Sequence, residues 1–168
     1  MQLRFFFYLF LSFFLGCVVF IKHENSNELN NLIDLDSLEQ NQSSPLIKMK
    51  KTPCFGKCPY FEVSIFNDGS IIYEGFKFVD MIGLYRSQIN KKEIALIEDY
   101  IKRLNFFSLD EVYDARVTDL PSIIIEVNLN GRSHKVKGRY RIPDNFKMFT
   151  KFIDDLLLGV DSWISITN

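Results

Sequence analysis

Little in this chain announces a reaction. Its 168 residues contain two histidines and three cysteines, and only His134, Cys54 and Cys58 fall beyond the N-terminal quarter. There is no G-x-S-x-G turn for a serine nucleophile, no glycine-rich phosphate loop and no H-E-x-x-H zinc helix. Tetrahedral zinc would need two ligands beyond the cysteine pair, and the sequence does not supply them plainly. A formal net charge of −1 removes the electrostatic case for a nucleic-acid binder. No internal repeat is visible at the residue level. These absences speak against recognisable catalytic classes, although a site built from scattered residues leaves no motif.

What is present is unevenly distributed. Residues 1–21 read as a signal peptide or membrane anchor. Arg4 precedes an apolar run from Phe5 to Leu15 broken only by Ser12, and Gly16-Cys17 follows. A charged start, an apolar stretch of about 7–15 residues and a small residue are the parts of a secretory signal. Phe14-Leu15-Gly16-Cys17 resembles a bacterial lipobox, which makes Cys17 the candidate lipidation site. Val18-Val19-Phe20-Ile21 stays apolar, so an uncleaved helix is the alternative; Phe5–Ile21 just reaches the roughly 17-residue lower limit for a span. Either way the remainder is expected outside the cytoplasmic membrane, anchored in the cell envelope. Residues 22–46 form a polar tether rich in Asn, Gln and Ser. Lys22 against Glu24, Glu28, Asp34, Asp36 and Glu39 gives it −4, while 18 basic against 16 acidic residues give positions 47–168 +2.

A single domain is expected over residues 47–158, with 159–168 as a C-terminal tail. Phe61, Val63 and Ile65 alternate with polar residues, as on a half-buried strand. Asn67-Asp68-Gly69 then makes a three-residue turn that sets Ile65 opposite Ile71 and Val63 opposite Tyr73. The second strand continues towards Val79, Gly83 permits a turn, and a third strand covers Leu84–Ile89. Asn90 and Glu93 frame a capping box for a helix whose face is Ile94, Ile97, Ile101 and Leu104, ending at Asn105. Ile123, Ile125, Val127 and Leu129 alternate into Asn130-Gly131, a type I′ hairpin signal that pairs Glu126 with Lys135 and Val127 with His134. Pro143 opens a last helix burying Phe146, Phe149, Phe152, Ile153, Leu156 and Leu157, with Gly159 as its stop. The expected fold class is α+β: an antiparallel sheet of about five strands in β-β-β-α-β-β-α order, with two helices on one face.

Three chemistries compete for Cys54 and Cys58. A structural disulfide fits an oxidising compartment, with Gly56 letting the loop turn back and a gain of roughly 2 kcal/mol from ring closure. A redox dithiol is weaker, because the loop leads into a strand and not into a helix N-terminus that would lower a thiol pKa. A copper site of the Cys-x-x-x-Cys-Pro type found in thioredoxin-fold copper chaperones would need a distant histidine. His134, the candidate in the domain, falls on the apolar face of its hairpin. No metal or other cofactor is therefore assigned.

Two further groups deserve weighing. Lys135, Lys137, Arg139 and Arg141 occupy every second position, a possible anion stripe for lipid phosphates or wall polymers; an ordinary solvated sheet face explains them as well. Asp110, Glu111, Asp114 and Asp119 cluster in the connection before the second hairpin, without the spacing of a calcium loop.

Lys51-Thr52-Pro53-Cys54-Phe55-Gly56-Lys57-Cys58-Pro59-Tyr60, Asn67-Asp68-Gly69, Tyr73-Glu74-Gly75 and Val117-Thr118-Asp119-Leu120-Pro121 together resemble an uncharacterised bacterial domain of unknown function, family 6438. The resemblance covers about residues 46–158. It implies a secreted or lipid-anchored envelope protein and carries no activity. It draws attention to Thr118, Asp119 and Pro121 as a candidate functional loop, expected beside the cysteine loop at one end of the sheet. The function expected is a non-catalytic binding or structural module with a protein or envelope-polymer partner and no nucleic acid. The alternatives are an enzyme of unknown type and a redox or copper-handling protein.

Overall fold

Alternation in the sequence translates directly into the central ladders. The structure, a computed structural model, describes residues 44–115 and 119–166, all within the compact unit Ser43–Asn168. The N-terminal segment with Cys17, and the tether up to residue 43, lie outside the described residues. Strands β2 (Tyr60–Ile65) and β3 (Ser70–Lys77) form the first hairpin. Its register is Val63 opposite Tyr73 and Ile65 opposite Ile71, as the three-residue turn predicts. Asp68 closes that turn by accepting the Ser70 N–H at 2.8 Å and the Ser70 hydroxyl at 2.6 Å. These two bonds hold its carboxyl below the usual carboxylate range. Gly69 has φ +86°, and a Cβ there would sit 2.2 Å from the Ile89 carbonyl oxygen.

Strand β4 (Gly83–Gln88) follows antiparallel to β3. Helix α1 (Lys91–Arg103) begins with both halves of its capping box: Asn90 Oδ1 accepts from the Lys92 and Glu93 amides, and Glu93 accepts from the Asn90 amide. Asn105, in the left-handed region at φ 49°, ends it. A 3₁₀ turn (Phe106–Ser108) and β5 (Val112–Tyr113) lead towards the second hairpin, β6 (Ile123–Leu129) and β7 (Arg132–Gly138). Asn130 and Gly131 both have positive φ, as a type I′ turn requires. Glu126 faces Lys135 and Val127 faces His134. Helix α2 (Asp144–Leu158) and β8 (Ile164–Ser165) complete the chain, with Pro143 as the N-cap of α2 rather than its first helical residue.

The strand count differs from expectation. The sheet has eight strands in the order β5-β7-β6-β1-β2-β3-β4-β8. The added central strand is β1 (Ile47–Lys51), which joins the two hairpins by pairing antiparallel to both β2 and β6. Its pattern, Ile-Lys-Met-Lys-Lys, offers only two apolar residues, and no turn links it to either neighbour. The other additions, β5 and β8, are two residues long and sit at the edges; β5 runs parallel to β7. The sheet is thus mostly, not wholly, antiparallel. Residues 159–166, expected as a tail, bring Trp163 to 5.6 Å from the Tyr73 ring and add β8 against β4.

One face of the sheet is buried. Ile47, Met49, Ile65, Ile71, Ile125 and Val136 are fully enclosed with Ile97 of α1 and Phe146, Phe149 and Ile153 of α2. Full burial of such a side chain contributes about 1.5–3 kcal/mol. Connectivity gives the sheet two distinct ends. The turn end holds the two hairpin turns and the start of β1. The loop end collects residues 52–59, 78–82, 119–122 and 139–143.

Candidate functional site

Period-two alternation puts Lys51 on the buried face with Ile47 and Met49. Its row, at the loop end, runs Gly83, Gly75, Phe61, Lys51, Ile123, Gly138. An ammonium there needs a partner, and Asp154 of α2 supplies it at 2.7 Å. Their side chains are 18% and 33% exposed, so the pair sits between a surface bridge and a buried one. The ammonium also lies 5.4 Å from the centre of the Phe61 ring. Glycine spares side-chain volume at both flanks of the row, and neighbouring chain moves in. A Cβ on Gly75 would fall 1.8 Å from the Met81 carbonyl oxygen, and one on Gly138 would fall 2.9 Å from the Phe146 ring.

Two openings flank the Lys51–Asp154 pair. One, of about 330 Å³, is bounded by Pro59, Phe61, Tyr73, Phe78, Asp80 and Leu158. The other, of about 230 Å³, lies between Ile123, Ile142 and α2 residues Phe146 to Asp154. Burial, reinforced by the charge of Asp80 and by Tyr85, pushes the Tyr73 phenol up to about 12. The pair therefore divides a groove between α2 and the end of the sheet.

The cysteine loop forms one lip of this end. Cys54 and Cys58 are joined by a disulfide, with Cα atoms 5.7 Å apart. Phe55 is held at the loop tip, 89% exposed. Gly56 is not required by the turn: its φ is not positive, and a Cβ would meet only Cys54 Sγ at 3.8 Å. The loop is tied to the start of β6. Thr52 N–H donates to the Ser122 carbonyl at 2.9 Å, and Ser122 N–H donates to Thr52 Oγ1 at 2.8 Å. Arg139 Nε completes the knot by donating to the Ser122 hydroxyl at 2.9 Å. Ser122 is thus buried but satisfied.

The residues singled out from sequence take varied places. Asp119 is exposed and Pro121 half-buried, one residue from the Thr52–Ser122 bonds; Thr118 lies outside the described residues. Neither opening beside Lys51 is lined by Asp119. The basic stripe is interrupted, because β7 ends at Gly138, ahead of Arg139 and Arg141. Lys135 pairs with Glu126 at 3.4 Å, and Lys137 with Asp114 at 3.0 Å. The Lys137 hydrogen bond, with help from the Ala115 amide and Arg139, holds the Asp114 carboxyl below its usual range. His134 is at the turn end, its Nε2 2.8 Å from the Leu109 carbonyl oxygen and its ring beside Phe106 and Phe107. That places it away from the cysteines, at the other end of the strands.

Sequence reasoning missed the apolar character of the loop end. Phe55, Phe78, Ile82, Leu120, Tyr140 and Leu158 are all exposed there. Phe78 and Arg141 have positive φ, 56° and 49°, a conformation that costs a non-glycine residue about 1–3 kcal/mol. Each belongs to an aromatic–cation pair: Lys77 lies 4.9 Å over Phe78, and Arg141 lies 5.5 Å over Tyr140. Lys51 carried a signal, since it shares parity with Ile47 and Met49. Asp154 carried one too, lying next to Ile153 on the rim of the buried α2 face. The positive-φ loops had none, because Phe and Arg do not ordinarily mark such positions.

No curated protein matches the chain. A scan against protein families matches residues 45–157, from the residue before Leu46 to the last turn of α2, which takes in the cysteine loop, the Lys51–Asp154 pair and both hairpins. The chain belongs to the family described as a domain of unknown function, DUF6438.

Proposed function

We propose that this domain is a non-catalytic binding module of the cell envelope, held at the membrane through residues 1–21 by a lipid on Cys17 or by an uncleaved helix, and that it engages a protein partner with the loop end of its sheet. The observation that carries this reading is Phe55, 89% exposed on a loop closed by the Cys54–Cys58 disulfide. An aromatic ring on a cross-linked loop loses little freedom on binding, so its apolar area converts efficiently into affinity. Phe78, Tyr140 and Leu120, exposed in other loops at the same end of the sheet, with Lys77 and Arg141 over two of the rings, have the aromatic and cationic composition of protein interfaces. The backbone strain at Phe78 and Arg141 points the same way, because strain collects where function demands a particular presentation.

The enzyme alternative draws less support, since Asp119 is exposed and lines neither opening beside the Lys51–Asp154 pair. The copper alternative would have to bring together His134 and the bonded cysteines from opposite ends of the sheet.

A photoreactive residue placed at position 55 or 78 of the full chain, in cells that make it, tests the reading. Both positions should yield the same discrete protein adduct, and Tyr140→Ser should lower its yield about tenfold, as loss of a central aromatic contact does. An equal yield from position 131, at the turn end, would exclude the loop end as the interface. Intact-mass analysis of the native chain checks the anchor separately, by reading acylation and cleavage at Cys17.

A further inference from the structure

The turn end carries a cavity of a different character. It occupies about 380 Å³ between the last turn of α1, the 3₁₀ turn and the β6–β7 hairpin. Its polar lining is Lys102, Asn105, Ser108, Asn130 and Arg132, with no acidic residue, and Phe107 forms part of its apolar wall. Arg132 lies with its guanidinium carbon 4.4 Å over the Phe107 ring. A stacked guanidinium spends its face on the ring and keeps its edge N–H donors for a ligand. Among the described residues no carboxylate pairs with Arg132, and Lys102 meets only the half-buried Glu98 of its own helix, at 3.6 Å. The α1 C-terminus opposes an anion with about half a negative charge; the two side-chain cations outweigh it.

The place of this cavity matters as much as its charge. The start of β1 lies at the same end of the sheet. Asn128, two residues before Asn130, donates its backbone N–H to the Leu46 carbonyl at 2.9 Å and its amide to the Pro45 carbonyl at 2.8 Å. The segment that residues 1–21 would anchor therefore joins the domain at the turn end, on the side of the sheet away from Phe55.

From this coincidence of charge, concavity and chain direction, we infer that the Lys102–Arg132 cavity binds the phosphate of an anionic lipid headgroup and so seats the turn end on the membrane. The inference rests on the anchored reading of the N-terminus, which brings the domain to a bilayer in the first place. Phosphate suits the donors: Arg132 offers a bidentate edge, Lys102 a point charge, and Asn105 and Asn130 neutral amides at the rim. Phe107 and Leu129 can meet the glycerol carbons. With the turn end seated, the loop end faces away from the bilayer.

The test uses the full chain in lipid nanodiscs, either of phosphatidylcholine alone or with added phosphatidylglycerol, read by amide hydrogen exchange. Recovery of the chain with both kinds of disc reports the anchor, independently of the cavity. Amides of residues 105–108 and 129–132 should then exchange about tenfold more slowly on anionic discs than on neutral ones. Arg132→Gln and Lys102→Gln should each abolish that difference, whereas Lys135→Gln, removing a cation elsewhere on β7, should leave it. Equal exchange on the two lipids would overturn the proposal, as would equal sensitivity to Lys135→Gln, the mark of unspecific surface charge. Slowing by soluble glycerol phosphate without slowing on anionic discs would assign the cavity to a free phosphate compound and overturn the lipid source.

Discussion

A methyl group on Gly75 would lie 1.8 Å from the Met81 carbonyl oxygen, whereas one on Gly56 would meet nothing closer than 3.8 Å. Both glycines fall in motifs of the family resemblance, yet only the first has a steric reason to be there: the 78–82 loop folds back over β3 at that point. Gly75→Ala should destabilise the domain by about 1–3 kcal/mol through overpacking, and Gly56→Ala should change stability by less than about 0.5 kcal/mol. Urea midpoints compare them directly, and similar losses in both would contradict the geometry. Tyr73 makes a second prediction at this scale. Its phenol, raised from 10.0 to about 12 by burial, stays protonated in the folded domain while the unfolded chain ionises. A raised folded pKa means stability that is intact below pH 10 and lost as pH rises towards about 12. Tyr73→Phe should flatten the fall in unfolding free energy across that window; an unchanged slope would remove Tyr73 as its source.

At the scale of elements, β1 decides how the domain holds together. It pairs with β2 on one side and β6 on the other, so each hairpin completes its sheet through the same five residues. Met49 is, with Ile47, one of its two fully buried anchors. Met49→Ala should cost about 2–5 kcal/mol and lower the protection of both hairpins together in a single transition; separate unfolding of the β2–β3 and β6–β7 units would show that β1 does not couple them. The hairpins themselves were legible because their registers are written locally. Asn67-Asp68-Gly69 and Asn130-Gly131 specify turn geometry, and alternation specifies the face. The capping box at Asn90 and Glu93 was legible for the same reason. What escaped was non-local. β1 carries three lysines in five residues and finds its partners through residues 60–65 and 123–127, and β5 and β8 are too short for any period to register. The candidate site was half legible. The disulfide followed from spacing and an expected oxidising compartment, but the Lys51–Asp154 pair, 103 residues apart in sequence, depends on β1 and on the packing of α2.

Across the whole molecule, the strands connect two ends of unlike chemistry, an apolar and strained loop end and a cationic hollow at the turn end where the chain enters. The edges of the sheet have a consequence of their own. Each is finished by a strand only two residues long, β5 and β8, and β7 behind β5 presents Arg132 and Lys135 along its remaining length. Long unpaired edges invite strands of other molecules, and short or charged ones discourage them. On the anchored reading proposed above, copies of the domain would share one plane and meet one another far more often than copies free in bulk. In such a crowd, blunted edges would keep adjacent copies as separate domains where longer ones would zip them into a continuous sheet.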